Sequence, residues 1–418
     1  MDVKAYVRGV VESARKASAS VARATTLQKD AVLEAMARNL LESAEELKRQ
    51  NARDLGAGTE AGLSAAMLDR LELNDKRIGQ MAAGIRAVAL LKDPVGSIIA
   101  GWTAPNGLRL RKVRVPIGVI AVIYESRPNV TADAACLCLK SGNALILRGG
   151  KEALHSNIAI QRQIARALER SSIDPKAVQL IETPDRAAVT ELLTAEGYVD
   201  LAVPRGGKGL IRTVVETATV PVIKHYEGVC HVFVDAGCDL EMAVRICENA
   251  KCQGPAICNA MECMLVHEAV AEEFLRRIGP VFRERGVELR GCDRARRILP
   301  EARAAAEQDW RTEYLDLILS VRVVKDVHEA IDHINTYGSH HTDAIVTESQ
   351  RNAELFCDRV DSAAVCVNAS TRMTDGGEFG LGAEVGISTD KLHARGPMGL
   401  EELTIYKWVV VGDGQLRS

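Results

Sequence analysis

Apolar positions recur along this chain with two different periods, and the change between them divides it. From Val3 to about Leu91 the spacing is helical, with Val7, Val10, Val11 and Ala14 in one group. Leu33, Met36, Ala37, Leu40 and Leu41 form another. Residues three and four apart share a helix face, so each group predicts an amphipathic helix with one buried stripe. Asn74-Asp75-Lys76 reads as a capped turn before a further helix, Ile78 to Leu91, and Asp93-Pro94 with Gly96 closes the region. Leu108 to Val115 then alternates apolar with basic residues, the period-two pattern of a strand wet on one face. A strand of this kind is not stable alone. Its expected partner lies far away in sequence, the apolar run Leu403 to Val411 near the C-terminus.

From Pro116 onward short apolar runs alternate with helical segments. Strands are expected at Val119 to Ile123, Ala144 to Leu147, Ala177 to Ile181, Val199 to Val203 and Val220 to Ile223. Between them lie helices at Asn129 to Lys140, Glu152 to Leu168, Arg186 to Leu193 and Gly209 to Thr217. Near-continuous apolar strands in a βαβα order imply a parallel sheet covered on both faces. A second α/β unit follows, with strands at Val232 to Val234, Met261 to His267, Ile318 to Val324, Ala344 to Val346 and Ala364 to Val367. Ligands on parallel sheets sit beyond the carboxyl ends of the strands, which directs attention to the loops after Ile123, Leu147 and Val203.

Composition narrows the class. The 418 residues predict two or three domains. With 53 Lys+Arg against 56 Asp+Glu, the net charge of -3 argues against a nucleic-acid or membrane surface. Eleven cysteines at irregular spacing form no zinc motif, and a chain this long needs no disulfide staples. Met1-Asp2-Val3-Lys4 does not read as a signal peptide, and no apolar run approaches the roughly 18 residues of a membrane span. The expectation is a reduced, cytoplasmic enzyme without a metal. The adjacent His340 and His341 lie in an extended loop, where neighbouring side chains point to opposite faces and do not share an ion.

Four loops can carry chemistry. Cys258, in Gln253-Gly254-Pro255-Ala256-Ile257-Cys258-Asn259, sits on a Gly-Pro turn just before a buried strand. It is either a small buried hydrophobe or a nucleophile, since a thiolate reacts strongly near neutral pH. Asn129, after Tyr124 to Pro128, is either a helix N-cap or an amide aimed at a developing oxyanion. Arg148-Gly149-Gly150-Lys151 and Arg205-Gly206-Gly207-Lys208 each combine glycine with cations at a strand-to-helix turn, which suits an anion. Neither matches a standard nucleotide motif. Two such turns on one sheet suggest a dinucleotide with an extra phosphate, NADP(H) over NAD(H).

Over nearly its whole length the chain resembles the γ-glutamyl phosphate reductases, a family within the aldehyde dehydrogenase superfamily. The resemblance rests on Tyr124 to Asn129 with Leu137 to Asn143, on Arg148 to Ala153, on Cys258 to Glu262 and on Val327 through Ile345. The tail segments Phe379 to Thr389 and His393 to Glu401 add to it. It implies an aldehyde dehydrogenase-like α/β fold of two parallel-sheet domains and a small β oligomerisation hairpin. Residues 1–107 and 117–225 would bind NADP, 226–395 would hold the catalytic site, and 108–116 with 396–418 would form the oligomerisation strands. The implied reaction is reduction of L-glutamyl 5-phosphate by NADPH to L-glutamate 5-semialdehyde and phosphate, the second step of proline synthesis.

On that resemblance Cys258 attacks the acyl phosphate and carries a thioester. The Asn129 amide and the Cys258 backbone N–H stabilise the oxyanion, each by on the order of 3 kcal/mol. Arg148, Gly149, Lys151, Gly206, Gly207 and Lys208 are the expected cofactor contacts. Arg127, Arg372 and Arg395 are the candidates for gripping substrate anions, because arginine binds them bidentately. The resemblance also implies a homo-oligomer and an association with glutamate kinase. The alternatives are a non-catalytic partner of that kinase, or a reductase of another acyl phosphate or thioester. Two departures stand out: family members commonly carry Arg where Gly254 stands and Thr where Cys263 stands. The region Lys224 to His231, where related oxidising enzymes hold a water-activating glutamate, offers His225 and Glu227 for weaker roles.

Overall fold

The computed structural model describes residues 2–224 and 226–417, and the chain folds as two compact units. The first comprises Met1–Lys224, Gly380–Gly386 and Met398–Ser418. Its N-terminal part is the expected helical array: Val3–Arg23, Thr26–Glu42, Ala44–Glu60, Ala65–Leu71 and Asp75–Leu90. Side chains start these helices by accepting otherwise orphaned N–H groups. Asp2 caps the first, Thr25 with Gln28 forms a capping box on the second, and Asn74 caps the last. The stripe Val7, Val10, Val11 and Ala14 packs against Val119, Ala121, Ile123 and Ile146 of a parallel sheet. Full burial of each such valine contributes about 2 kcal/mol.

That sheet runs in the order Val178–Leu180, Ala144–Gly149, Val119–Tyr124, Leu201–Arg205. Every residue of the two central strands is buried, as their unbroken apolar sequence requires. The chain leaves Val119–Tyr124 to one side first and returns on its other side as Leu201–Arg205. The loops after Tyr124 and Arg205 therefore flank the point where strand order reverses, the usual ligand crevice of such sheets. The expected strand Val220 to Ile223 is not formed: only Val222 makes an isolated bridge, to Ala202. Pro221 has no N–H to give a ladder.

The alternating strand Arg109–Pro116 pairs antiparallel with Thr404–Val411, from Thr404 opposite Pro116 to Val411 opposite Arg109. The long-range pairing expected between the alternating strand and the remote apolar run is therefore present. A third strand, Ile98–Thr103, pairs on the other side of Arg109–Pro116 and was not anticipated, being exposed along its whole length.

The second unit, His225–Phe379 with Ile387–Pro397, holds a seven-stranded sheet. Its order is Arg303–Ala304, Glu288–Gly291, Ile318–Val324, Met261–His267, Cys230–Val234, Thr342–Val346, Ala364–Val367, all parallel. One face packs on helices Leu240–Cys252 and Ala271–Glu284, through residues such as Phe274, Leu275 and Ile278. The other packs on helix Val327–Tyr337 through Ala330, Ile331 and Ile334.

Candidate functional site

In the second unit, Cys258 lies on the turn before strand Met261–His267 and is partly exposed. The turn closes on itself through Ile257 N–H to the Gly254 carbonyl at 3.2 Å and Ala260 N–H to the Ile257 carbonyl at 2.9 Å. Its far side is packed against Gly228, in the irregular stretch before strand Cys230–Val234. A side chain on Gly228 would start 1.7 Å from the Cys258 carbonyl oxygen, so only glycine fits there. Gly228 N–H in turn donates to Glu313 at 2.8 Å, and the Cys230 thiol donates to the Cys258 carbonyl at 3.3 Å. Burial pushes the Cys230 thiol well up, so it stays protonated and packs as a neutral group.

Arg372 also belongs to this turn. Its Nε donates to Gln253 Oε1 at 2.7 Å and its Nη1 donates to Asn259 Oδ1. Arg395 is held elsewhere, with Nη1 on the Asp361 carboxylate at 2.8 Å and Nη2 on the Asp361 carbonyl at 3.0 Å. Lys391 reaches the same carboxylate, and with Arg395 it holds the Asp361 pKa down at about 2. Glu227 sits partly buried on the irregular link, and His225 lies outside the described residues.

Among the described residues one group of metal-type ligands lies together: His231, Cys263 and His333, all buried, with donor atoms within 4.8 Å of one another. Arg322 Nη1 lies 3.1 Å from His333 Nδ1. A guanidinium only donates, so the neutral ring keeps its proton on Nε2, facing the Cys263 sulfur at 3.6 Å. Burial holds that ring neutral, with its pKa near 2. The His333 ring thus has no lone pair left for an ion, whereas His231, held through Nδ1 by Asp343 at 2.8 Å, keeps its Nε2 without a hydrogen-bond partner beside Cys263. The neighbouring His340 and His341 diverge, the first against the Asp361 carbonyl and the second fully buried.

In the first unit, Asn129 is the first residue of helix Asn129–Lys140, and Pro128 takes the N-cap position. The simple capping role is thereby excluded. The exposed Asn129 amide instead donates to Asp133 Oδ2 at 2.9 Å, which leaves its second N–H available. Desolvation raises the Asp133 pKa to about 6, against the pull of this amide and of Arg205. Arg127 is exposed on the same loop, next to Ser126, whose φ of 40° marks a backbone under constraint.

The two glycine-rich turns differ from their expected use. Arg148 is buried, and its guanidinium donates to the carbonyls of Gly149 at 2.8 Å and Pro184 at 3.0 Å. It ties two loops together, while Lys151 stays exposed. A side chain on Gly149 would meet Asn157 at 2.1 Å and the Tyr124 ring at 3.1 Å, so this glycine serves packing within the protein. At the second turn, Gly207 N–H at the start of helix Lys208–Thr217 donates to the Glu125 carboxylate at 2.9 Å. Gly206 lies so close to that carboxylate that a side chain would start 2.4 Å from its oxygen. A second carboxylate, Glu152, accepts from Ser126 N–H at 2.7 Å and from its hydroxyl at 2.8 Å. Gly207 N–H thus already binds an oxygen anion, so the residues fit a dinucleotide phosphate that takes the place of the Glu125 carboxylate.

Sequence reasoning missed Gly228, Asn259 and Glu125. Gly228 had a signal, since it falls in the Lys224 to His231 segment already marked for attention. The others act through contacts that bring remote segments together.

Comparison with known proteins gives a consistent result. The aldehyde dehydrogenase family model matches residues 2–288. A γ-glutamyl phosphate reductase of Moorella thermoacetica is 57% identical over 418 residues, covering 100% of both chains. One from Desulfatibacillum aliphaticivorans is 53% identical with the same coverage. The crystal structure of the Thermotoga maritima γ-glutamyl phosphate reductase superposes with a TM-score of 0.96 at 48% identity, covering 99% of this chain and 100% of that one.

Proposed function

Because the chain belongs to the aldehyde dehydrogenase family and, within it, to the γ-glutamyl phosphate reductases, we propose that it reduces L-glutamyl 5-phosphate to L-glutamate 5-semialdehyde and phosphate with NADPH, in proline biosynthesis. The observation that carries this reading is end-to-end identity of 57% with a relative of that name, with the thiol of Cys258 partly exposed on a packed turn.

The Cys258 thiolate attacks the acyl carbon. A sulfur–carbon bond forms, the carbon–oxygen bond to phosphate breaks, and phosphate leaves with its electron pair. The nicotinamide, when bound, supplies a hydride to the acyl carbon. The sulfur–carbon bond then breaks with its electrons returning to sulfur, which frees the aldehyde and restores the thiolate. Both additions place negative charge on the acyl oxygen, which the Cys258 backbone N–H would stabilise. The family resemblance gives the Asn129 amide, whose second N–H is available, an oxyanion-binding role as well. No water attack occurs in this sequence, so no water-activating glutamate is required.

The exposed Lys151 and Lys208, with the Gly206-Gly207 amides, would hold the dinucleotide, and their charge favours NADPH. Arg148 would keep the turns in place. Arg127, exposed on the loop after Tyr124, would grip a substrate anion, whereas Arg395 is paired with Asp361. A second copy of the chain would cover the three-stranded sheet, whose Trp102, Tyr406 and Trp408 are about half exposed. The test is steady-state NADPH oxidation with glutamyl phosphate against another acyl phosphate and a thioester. The glutamyl substrate should give much the highest kcat/KM. Equal or better turnover of another acyl donor would overturn the assignment.

A further inference from the structure

Arginine at a substrate site and arginine inside a catalytic turn look alike in sequence, and here the contacts separate them. Arg372 leaves the short helical turn Thr371–Met373 and reaches both ends of the segment that carries Cys258. Nε donates to the side-chain oxygen of Gln253 at 2.7 Å, five residues before the thiol, and Nη1 donates to that of Asn259, the residue after it. Its Nη2 lies 3.6 Å from where a side chain on Gly254 would begin. Asn259 is buried and returns the contact, its Nδ2 donating to the Thr374 carbonyl at 2.9 Å. Residues 370–374 and 253–259 are thus fastened at several points, with Cys258 between them.

We propose that Arg372 is a positioning residue, whose guanidinium spans Gln253 and Asn259 and so holds the Cys258 turn in its attacking conformation, rather than gripping the substrate. This rests on the reading of Cys258 as nucleophile. Three physical points support it. The turn belongs to no helix or strand, so side-chain contacts must restrain it. Both acceptors are neutral amides, so these two bonds leave the positive charge of Arg372 uncancelled beside the turn. Finally, a planar fork can bond two acceptors at once in fixed directions, which an ammonium cannot do. Arg372 therefore provides a cation at the place where Gly254 brings no side chain.

The experiment uses the full-length enzyme with Arg372→Ala, Arg372→Lys, Asn259→Ala and the double variant Asn259→Ala/Arg372→Ala, measuring kcat and KM for glutamyl phosphate. Misplacing the thiol by about 1 Å should lower kcat about 100-fold with little change in KM. Lysine should not rescue, and the double variant should be no slower than the worse single one, because both substitutions break the same clamp. A raised KM with kcat retained would assign Arg372 to substrate binding and overturn the proposal. Additive losses, or parent activity in the lysine variant, would overturn it as well. If Arg372→Ala does not fold, Gln253→Ala removes the opposite, exposed end of the clamp and should show the same split. Cys258→Ser keeps the two readings apart: activity in that variant would remove the nucleophile itself. An inactive Cys258→Ser beside a pure KM effect at Arg372 would remove only the clamp.

Discussion

Asn129 holds its amide on a carboxylate whose charge changes within the working pH range. Asp133 is lifted to about 6 by desolvation, so below that pH it is neutral and loses the charge-assisted bond that orients Asn129. The kcat should fall as pH drops through about 6, and Asp133→Asn should remove that acid limb from the pH–rate profile. Linkage gives a second sign. A pKa raised above the unfolded value of 3.8 means the folded state binds the proton more tightly, so stability falls as pH rises from about 4 to 6. The same variant should therefore be more stable at pH 7, by up to about 3 kcal/mol in urea unfolding. A less stable Asp133→Asn would contradict the assigned cause. At this scale the sequence made Cys258 legible as a thiol at a turn, but its role came only from the resemblance. The true place of Arg372 was hidden because its partner Asn259 lies 113 positions away. Arg148 misled for a related reason: cations at a glycine turn look the same whether they face a ligand or, as here, carbonyls of the protein.

Elements were the most legible level, since period alone separates the N-terminal helices from the parallel strands. Pairing of Arg109–Pro116 with Thr404–Val411 was also readable, because a lone alternating strand and a remote apolar run each needed a partner. What escaped were strands without an apolar stripe. Ile98–Thr103 is exposed throughout, and Glu288–Gly291 buries only alternate residues over a length of 4. The family-like stretch Leu137 to Asn143 proves structural. Lys140 Nζ bonds Asp30 at 2.5 Å and the Ala89 carbonyl at 2.7 Å, while Asn143 joins Gly118 N–H to the Leu403 carbonyl. Beside it, Lys29 Nζ is fully buried on Asp93 at 2.9 Å. Removing one partner of such a pair leaves a charge buried alone. Lys29→Ala should cost about 3 kcal/mol in equilibrium unfolding, with NADPH oxidation by the folded fraction largely retained. A loss below about 1 kcal/mol would show that Asp93 finds other compensation.

At the scale of the whole molecule, balanced charge agrees with an enzyme of small substrates, and among the described residues no helix is long and apolar enough to cross a membrane. The three-stranded sheet leaves Ile98, Ile99, Trp102, Ile405 and Trp408 in solvent. Trp102 and Trp408 meet edge to face at 5.3 Å, forming a firm apolar patch. Trp102→Asp should shift the mass measured by light scattering to that of one chain of 45.2 kDa while the melting profile keeps its main transition. An unchanged assembly would place the interface elsewhere. The central claim, however, is that Cys258 carries the acyl group. Mixing enzyme with glutamyl phosphate in the absence of NADPH, quenching in acid and mapping peptides by mass spectrometry tests it most directly. The account predicts a stoichiometric burst of phosphate and a glutamyl thioester on the peptide containing Cys258, both abolished by Cys258→Ser. A glutamyl group on another residue, or undiminished turnover in the serine variant, would contradict it.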